Sequence, residues 1–340
     1  PPRAPAMTDT GLTPPPTFLL KRGNWRTKGD EVDPGFIASI TEKAPDVRPT
    51  EKTSGRRAAL AGWVADAKNP LTARVIVNRA WQHHFGVGLV GSASDFGVGG
   101  DRPTHPELLD WLASEFVDPA GAGWSRKKLH RLIVTSNAYR QSARGAEGGL
   151  RVDPDNALLW QYPRRRLDGE ALRDAVLATA GVLNTKAGGP GVYPELPAEV
   201  KAGGWKVSAD PAERNRRSVY VTVKRNLRYP FFSLFDSPER VETCSRRFVT
   251  TTAPQALTLL NDTMVIGHAK TFAARVTRDV GTDPDKVVTR AVELALSRPP
   301  TTEEKAAMTA FLRNHPGPAV DAVTDLCHAL LNLNEFLYVD

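Results

Sequence analysis

The feature that most limits the fold is a start signal that recurs along the chain. Thr104-His105-Pro106-Glu107, Ser125, Asp168, Thr252-Ala253-Pro254-Gln255, Asp283-Pro284 and Thr301-Thr302-Glu303-Glu304 each place a short polar residue ahead of an apolar run. Such side chains accept hydrogen bonds from the first free N–H groups of a helix, and Glu or Gln three positions on returns the bond. Asn69-Pro70 reads as an N-cap and first-turn pair, with Gly86 as the stop. The apolar residues that follow keep a helical period. Examples are Leu108, Leu109, Leu112 and Phe116; Leu129, Leu132, Ile133 and Tyr139; Val265, Ala269, Phe272 and Val276. A later set, Val323, Leu326, Leu330 and Leu333, marks the final helix. The period predicts a mainly α protein, an antiparallel helical array with short connections.

Two regions depart from that pattern. Residues 1–60 are broken by Pro14-Pro15-Pro16, Gly29, Pro34, Pro45 and Pro49, which predicts an extended N-terminal arm packed on the body. Within it, Thr17-Phe18-Leu19-Leu20-Lys21-Arg22-Gly23 reads as one short strand before a glycine turn. Residues 185–217 are a loop rich in Gly and Pro, and Ser218-Val219-Tyr220-Val221-Thr222-Val223-Lys224 then alternates with valines on one face. That alternation predicts a strand, which would pair with Phe18–Lys21 into a small β-ribbon. The expected organisation is an arm over 1–60 and one mainly helical domain over 61–340, with a loop and β-ribbon insertion near 185–250.

Composition excludes some classes. Hydrophobic residues make up 41% and charged residues 24% of the 340, an ordinary globular balance. No stretch reaches the roughly 20 apolar residues of a spanning helix. The first residues, Pro1-Pro2-Arg3-Ala4-Pro5, lack an apolar targeting core and read as the start of a piece of a longer chain. A net charge of +7 favours anionic partners. Cys244 and Cys327 fit neither a haem motif nor a zinc framework, and leave one disulfide or two separate buried thiols open.

Two constellations carry candidate chemistry. His83, His84, Asp95 and His105 are the candidate catalytic residues, since imidazole and carboxylate suit a general base with an orienting group. Adjacent His83 and His84 point about 100° apart on a helix, and no His pair has the i, i+4 spacing of helical zinc sites, so no metal site is expected. The alternative for either histidine is a core hydrogen bond beside the Gly86 turn. Asn78, Arg79, Arg217, Lys224, Arg225, Asn226 and Arg247 are the candidate ligand-binding residues. Guanidinium groups take phosphate, sulfate or carboxylate at two points, and Tyr220, Tyr229, Phe231 and Phe232 add stacking surfaces. The same charges would equally protect a solvated edge strand. No Walker loop, dinucleotide fingerprint, Gly-x-Ser-x-Gly elbow or H-E-x-x-H occurs.

The run Asn69–Arg79, continuing through Trp81, His83, Phe85-Gly86, Gly88-Leu89-Val90, Asp95-Phe96-Gly97 and Pro103-Thr104-His105-Pro106, resembles a planctomycete-type domain family of unknown function. The likeness goes on through Leu129-His130-Arg131-Leu132-Ile133, Arg217-Ser218-Val219-Tyr220, Phe235-Asp236 and Thr251–Leu257 to Asn332–Asp340. Members of that family sit C-terminal in large envelope proteins that often carry cytochrome-c-like domains. The resemblance implies export to the periplasm or cell envelope and companion domains in the same chain as partners. It implies no cofactor in this segment, any haem lying in upstream sequence. It transfers no catalytic residue, so the question of enzyme or not stays open. Three functions follow: a binding or scaffold module; an enzyme acting on an envelope polysaccharide through the His/Asp cluster; a binder of acidic glycan or, less suited to an exported protein, nucleic acid.

Overall fold

The computed structural model describes residues 7, 9, 11–145, 148–197, 200 and 203–339. The chain is mainly helical, as the period predicts, and its internal contacts divide it into two compact units. Unit 1 takes the described residues up to Gln141 together with Leu150–Leu158; unit 2 takes Ser142–Gly149 and the chain from Leu159 onward.

Unit 1 begins with β1 (Thr17–Leu20), antiparallel to β2 (Lys28–Val32), with Thr17 opposite Val32. The strand expected at Phe18–Lys21 is therefore present, but its partner is Lys28–Val32. The turn between them uses left-handed backbone at Arg22 and Gly23. Helices α1 (Arg56–Val64), α2 (Thr72–Phe85), α3 (Pro106–Val117), α4 (Arg126–Val134) and α5 (Asn137–Arg140) follow, and α6 (Gly149–Val152) lies at the unit boundary. On α2, Ala73, Val77, Trp81 and Phe85 form one buried face at helical spacing, and α3 and α4 pack against that helix. Leu109, Leu112 and Phe116 of α3 and Leu129 and Ile133 of α4 are buried too. Each large side chain so buried contributes about 1.5–3 kcal/mol. Leu71, and not Asn69, holds the N-cap position of α2; Asn69 stands two residues ahead of it, its Oδ1 accepting from the N–H groups of Leu71 (3.0 Å) and Thr72 (3.3 Å). The box expected at Thr104 does not form. His105 holds the N-cap position without a side-chain bond to the helix, and Pro106 opens α3 with no N–H to satisfy. Thr104 is drawn instead to Leu89, its N–H donating to that carbonyl at 2.9 Å.

Unit 2 pairs β3 (Arg165–Arg166) with β4 (Tyr338–Val339) and then runs through α7 (Gly169–Ala180), α8 (Pro211–Arg214), α9 (Pro230–Leu234) and α10 (Ala253–Asn261). It closes with α11 (Thr263–Val280), α12 (Pro284–Leu296), α13 (Thr302–Asn314), α14 (Ala319–Leu331) and α15 (Asn334–Leu337). The 18-residue α11 is the axle, packed by α7, α10, α12 and α14. Its stripe Val265, Ala269, Phe272 and Val276 is fully buried. One apolar cluster joins that stripe to Leu172, Val176, Phe231 and Phe235, and a second joins it to Val288, Ala291, Leu326 and Leu330. Asp168, Asp283 and Thr301 cap as read, accepting from Ala171, Lys286 and Glu304 N–H. Gln255 reaches back to the N–H of Thr252 at 3.2 Å.

Among the described residues near 185–250 no strand of the expected ribbon forms. Ser218–Tyr220 is a 3-10 turn, and the described residues here make single bridges, Asn184 with Arg216, Val192 with Val221 and Lys224 with Leu227. Val221 is buried, whereas Val219 is 73% exposed and Val223 46%, so the valines do not share one buried face. Arg216 anchors the chain just ahead of this segment. Fully buried, it donates to the carbonyls of Lys186, Gly188 and Pro190 and lies 3.9 Å from the Tyr220 ring centroid. Those bonds tie residues 186–190 to the chain at Arg216 through a side chain. Cys244 is exposed and Cys327 buried, both as free thiols. Among the described residues no helix is long and apolar enough to cross a membrane.

Candidate functional site

In unit 1, α2 distributes its candidates around its circumference. Asn78 faces the core and is wholly buried. Its Nδ2 donates to the Val90 carbonyl (3.0 Å) and its Oδ1 accepts from the Val90 N–H (2.8 Å), clamping the chain that returns past the helix end. A side chain at Gly88 would meet that amide at 2.6 Å, which is why a glycine stands there. Arg79 and His83 are exposed. His84, half-buried, is joined at 2.8 Å through Nε2 to Nδ1 of His130 on α4, and its ring meets Tyr139 edge-on. Asp95 is exposed and accepts from the N–H of Gly97 at 2.8 Å. His105 bonds the neighbouring Thr104 hydroxyl at 3.0 Å. The structure thus brings His84 to His130, a partner the sequence reading did not name, and gives Asp95 and His105 local partners. Among the described residues no three His, Cys, Asp or Glu side chains gather as a metal ion requires.

In unit 2 the basic candidates hold the unit together more than they converge. Arg247 forks onto Glu170 (2.7 and 3.1 Å) and reaches Asp168 at 3.0 Å. The Glu170 bond, first among the causes, raises its pKa above the usual arginine value. Arg217 is exposed, 3.8 Å from Asp174. Lys224 donates to the Gly204 carbonyl and lies 5.5 Å from the Tyr193 ring centroid. Arg225 and Asn226 are exposed beside it.

The chemically richest place is a cavity of about 400 Å³ in unit 2. The first turns of α11 form one wall, with Asp262, Thr263, Met264, Gly267, His268 and Thr271; Pro194, Glu195, Leu196 and Pro197 form another, and Arg173, Arg214, Tyr229 and Phe231 close it. Volumes of this size hold small ligands. Arg173 is only 2% exposed. It donates to the carbonyls of Arg214 (2.6 Å) and Arg216 (3.1 Å) and to Ser218 Oγ (3.2 Å). Its Nε–H finds no acceptor among the described residues. Asp174, 4.0 Å away, is already engaged by the Ser218 N–H at 2.7 Å. A buried guanidinium so placed is solvated mainly by neutral dipoles, an arrangement that costs free energy unless an anion joins it.

That charge is felt by its neighbours. Burial and then the Arg173 charge push His268 down to about 4, so its imidazole is neutral at neutral pH. Burial raises the Tyr229 phenol, while Arg173 pulls it the other way. The Tyr229 ring is fixed by Trp205, stacked at 6.1 Å, and Phe232 at 5.0 Å. Glu195 is paired with Arg214, and Asp262 Oδ1 accepts from the Met264 N–H at 2.7 Å.

Sequence reasoning passed over Arg173 and His268 and named Tyr229 only as a nearby aromatic. A signal was there: Arg173 follows Leu172 and precedes Val176 and Leu177 in a helix face that is buried, and His268 interrupts the apolar stripe of α11. Charged or titratable residues on a core-facing stripe are the informative exception.

No curated protein and no solved structure matches the chain. The PSD1 family, described as protein of unknown function (DUF1553), matches residues 56–312, which take in the α2 candidates, Arg173, Tyr229 and His268. The chain therefore belongs to the PSD1 family.

Proposed function

We propose that this domain is a non-catalytic binding module of a larger, planctomycete-type cell-envelope protein, and that it takes an acidic glycan in the unit 2 cavity. The observation that carries the reading is the buried Arg173 guanidinium beside that cavity, with no carboxylate among the described residues closer than 4.0 Å. Export, companion domains and a haem-bearing neighbour upstream follow from the family resemblance and belong to the same proposal. The net charge of +7 adds long-range attraction for a polyanion. Nucleic acid is the weaker partner, because an exported domain rarely meets it and the cavity admits one residue-sized group rather than a strand.

The test is retention of the chain on a matrix bearing both uronate and sulfate groups, at low salt. Gly267 lines the cavity, and nothing lies within 4 Å of where its Cβ would stand. Gly267→Trp is therefore the variant chosen to obstruct the cavity from that wall. Retention that salt reverses and Gly267→Trp abolishes supports the reading; equal retention of the variant, or none by the parent chain, defeats it.

One observation favours an enzymatic reading. A neutral imidazole beside a buried phenol and a carboxylate, His268 with Tyr229 and Glu195, is a combination that general-base chemistry uses. Release of reducing ends from the same glycan, abolished by His268→Gln, would favour it over simple binding.

A further inference from the structure

The acidic group that the cavity selects can be read from its charges and donors. Among the described residues five ionisable groups besides Tyr229 line it: Arg173 from α7, Arg214 from α8, Glu195 from the loop before α8, and Asp262 and His268 at α11. Arg214 and Glu195 neutralise each other as an ion pair. Asp262 spends one oxygen on the first turn of α11, where a carboxylate is favoured by the helix end. His268 is neutral. Arg173 is the guanidinium of the cavity without a closely paired carboxylate: shielded from water, it stands 4.0 Å from Asp174, its nearest carboxylate among the described residues.

A guanidinium whose nearest carboxylate is 4.0 Å away, in a cavity that also holds carboxylates, favours a singly charged anion. A doubly charged phosphate would leave an excess facing Glu195 and Asp262 across a poorly screened space. A sulfate ester carries one charge, but its oxygens are far less basic than those of a carboxylate and gain less from a phenol donor. The hydrogen bond of a hydroxyl to a carboxylate is charge-assisted and correspondingly strong. Tyr229 is the phenol that lines the cavity, with its ring held between Trp205 and Phe232 and its oxygen under the influence of Arg173.

The rest of the lining describes the body of the ligand. Phe231, Leu196 and Met264 offer apolar faces, and Asn215, Thr263 and Thr271 offer polar groups. A pyranose ring has that mixed character, with apolar C–H faces and a rim of hydroxyls. We infer that the cavity takes a hydroxylated monocarboxylate of monosaccharide size, its carboxylate held by the Tyr229 hydroxyl in the field of Arg173. The inference rests on the cavity being the ligand site, and it narrows the acidic glycan to a uronic acid unit rather than a sulfated or phosphorylated one.

The methionines make a direct test. The chain has three, Met7, Met264 and Met308, and only Met264 lines the cavity. With methyl-labelled methionine in the full chain, three resonances report, and Met264→Leu assigns the one of interest. Glucuronate, glucose and glucose 6-sulfate are then titrated separately. The expected result is a saturable shift of the Met264 methyl with glucuronate, at least about tenfold tighter than with either other sugar, since a hydrogen bond to a charged group is worth roughly that factor or more. Met7 and Met308 stay still. Tyr229→Phe keeps the ring packing and weakens glucuronate binding by about tenfold while leaving glucose binding alone. Arg173→Met tests the charge itself, but it also removes three backbone and hydroxyl contacts, so the Tyr229→Phe result decides if that variant fails to fold.

Equal binding of glucose and glucuronate overturns the carboxylate inference and leaves the cavity as a sugar site. Glucose 6-sulfate binding as tightly as glucuronate overturns the choice of acid. A Met264 methyl indifferent to all three probes removes the cavity as the ligand site, and the proposed function goes with it.

Discussion

At the scale of single residues, the chain's polar side chains divide into those that build and those that wait. Asn78 builds: both ends of its amide are spent on Val90, and its burial explains the Asn at that place without any ligand. His268 is of the second kind, and its titration is measurable. Its pKa is lowered to about 4 from an ordinary 6.5, so between those values the unfolded chain binds a proton that the folded one refuses. Stability therefore rises with pH across that window. One pKa unit is worth about 1.4 kcal/mol, so the loss on going from pH 6.5 to 4 reaches up to about 3 kcal/mol. Denaturant unfolding of the parent chain and of His268→Gln at pH 7 and pH 4.5 checks this. The variant is expected to lose less stability on acidification, and parallel losses would mean that His268 titrates normally. None of this was legible from His268 alone, because a histidine's burial and its arginine neighbour 95 positions away are set by packing and not by local pattern.

At the scale of elements, local chemistry was legible wherever a signal and its structure were both short-range. Ser125, Asp168, Asp283 and Thr301 cap the helices they precede, since a cap is an interaction over three residues. The alternating valines of 218–224 misled because a strand needs a partner, and Arg216 fixes its neighbours through bonds to residues 26–30 positions away. The α13 cap shows how such a local device joins a wider one. Glu304 completes the Thr301 box and also takes Arg298 at 2.7 and 2.8 Å, while Arg298 bonds Glu335 at 2.6 and 2.7 Å. The Arg298 bonds come first among the causes that bring Glu304 down to about 2. A carboxylate with a depressed pKa stabilises the fold above its unfolded value, near 4.5, and that contribution is lost as pH falls through about 2. Glu304→Gln retains the box geometry but not the charge. Melting at pH 5 and pH 2.5 should show a smaller acid-induced drop in the variant. The same drop in both chains would assign the acid sensitivity to other groups, such as Glu335.

At the scale of the whole molecule, the mainly helical class followed from periodicity, while the division into two units did not. Each unit is defined by which apolar faces meet, and α2, α3 and α4 in one, or α7, α11 and α14 in the other, present stripes of the same kind in sequence. The candidate residues are divided accordingly, His83, His84, Asp95 and His105 in unit 1 and Arg217, Lys224 and Arg247 in unit 2. The two thiols described above have a practical consequence. Burial in α14 pushes the Cys327 thiol far above the reactive range, while Cys244 stands open to reagents. A maleimide should add once to the native protein within minutes and a second time only as fast as unit 2 opens, so intact-mass spectrometry over time would read the opening rate. A second adduct arriving as promptly as the first would mean that α14 is not sealed in its core. The chain thus carries a built-in clock for its own breathing, with one cysteine to start it and one to stop it.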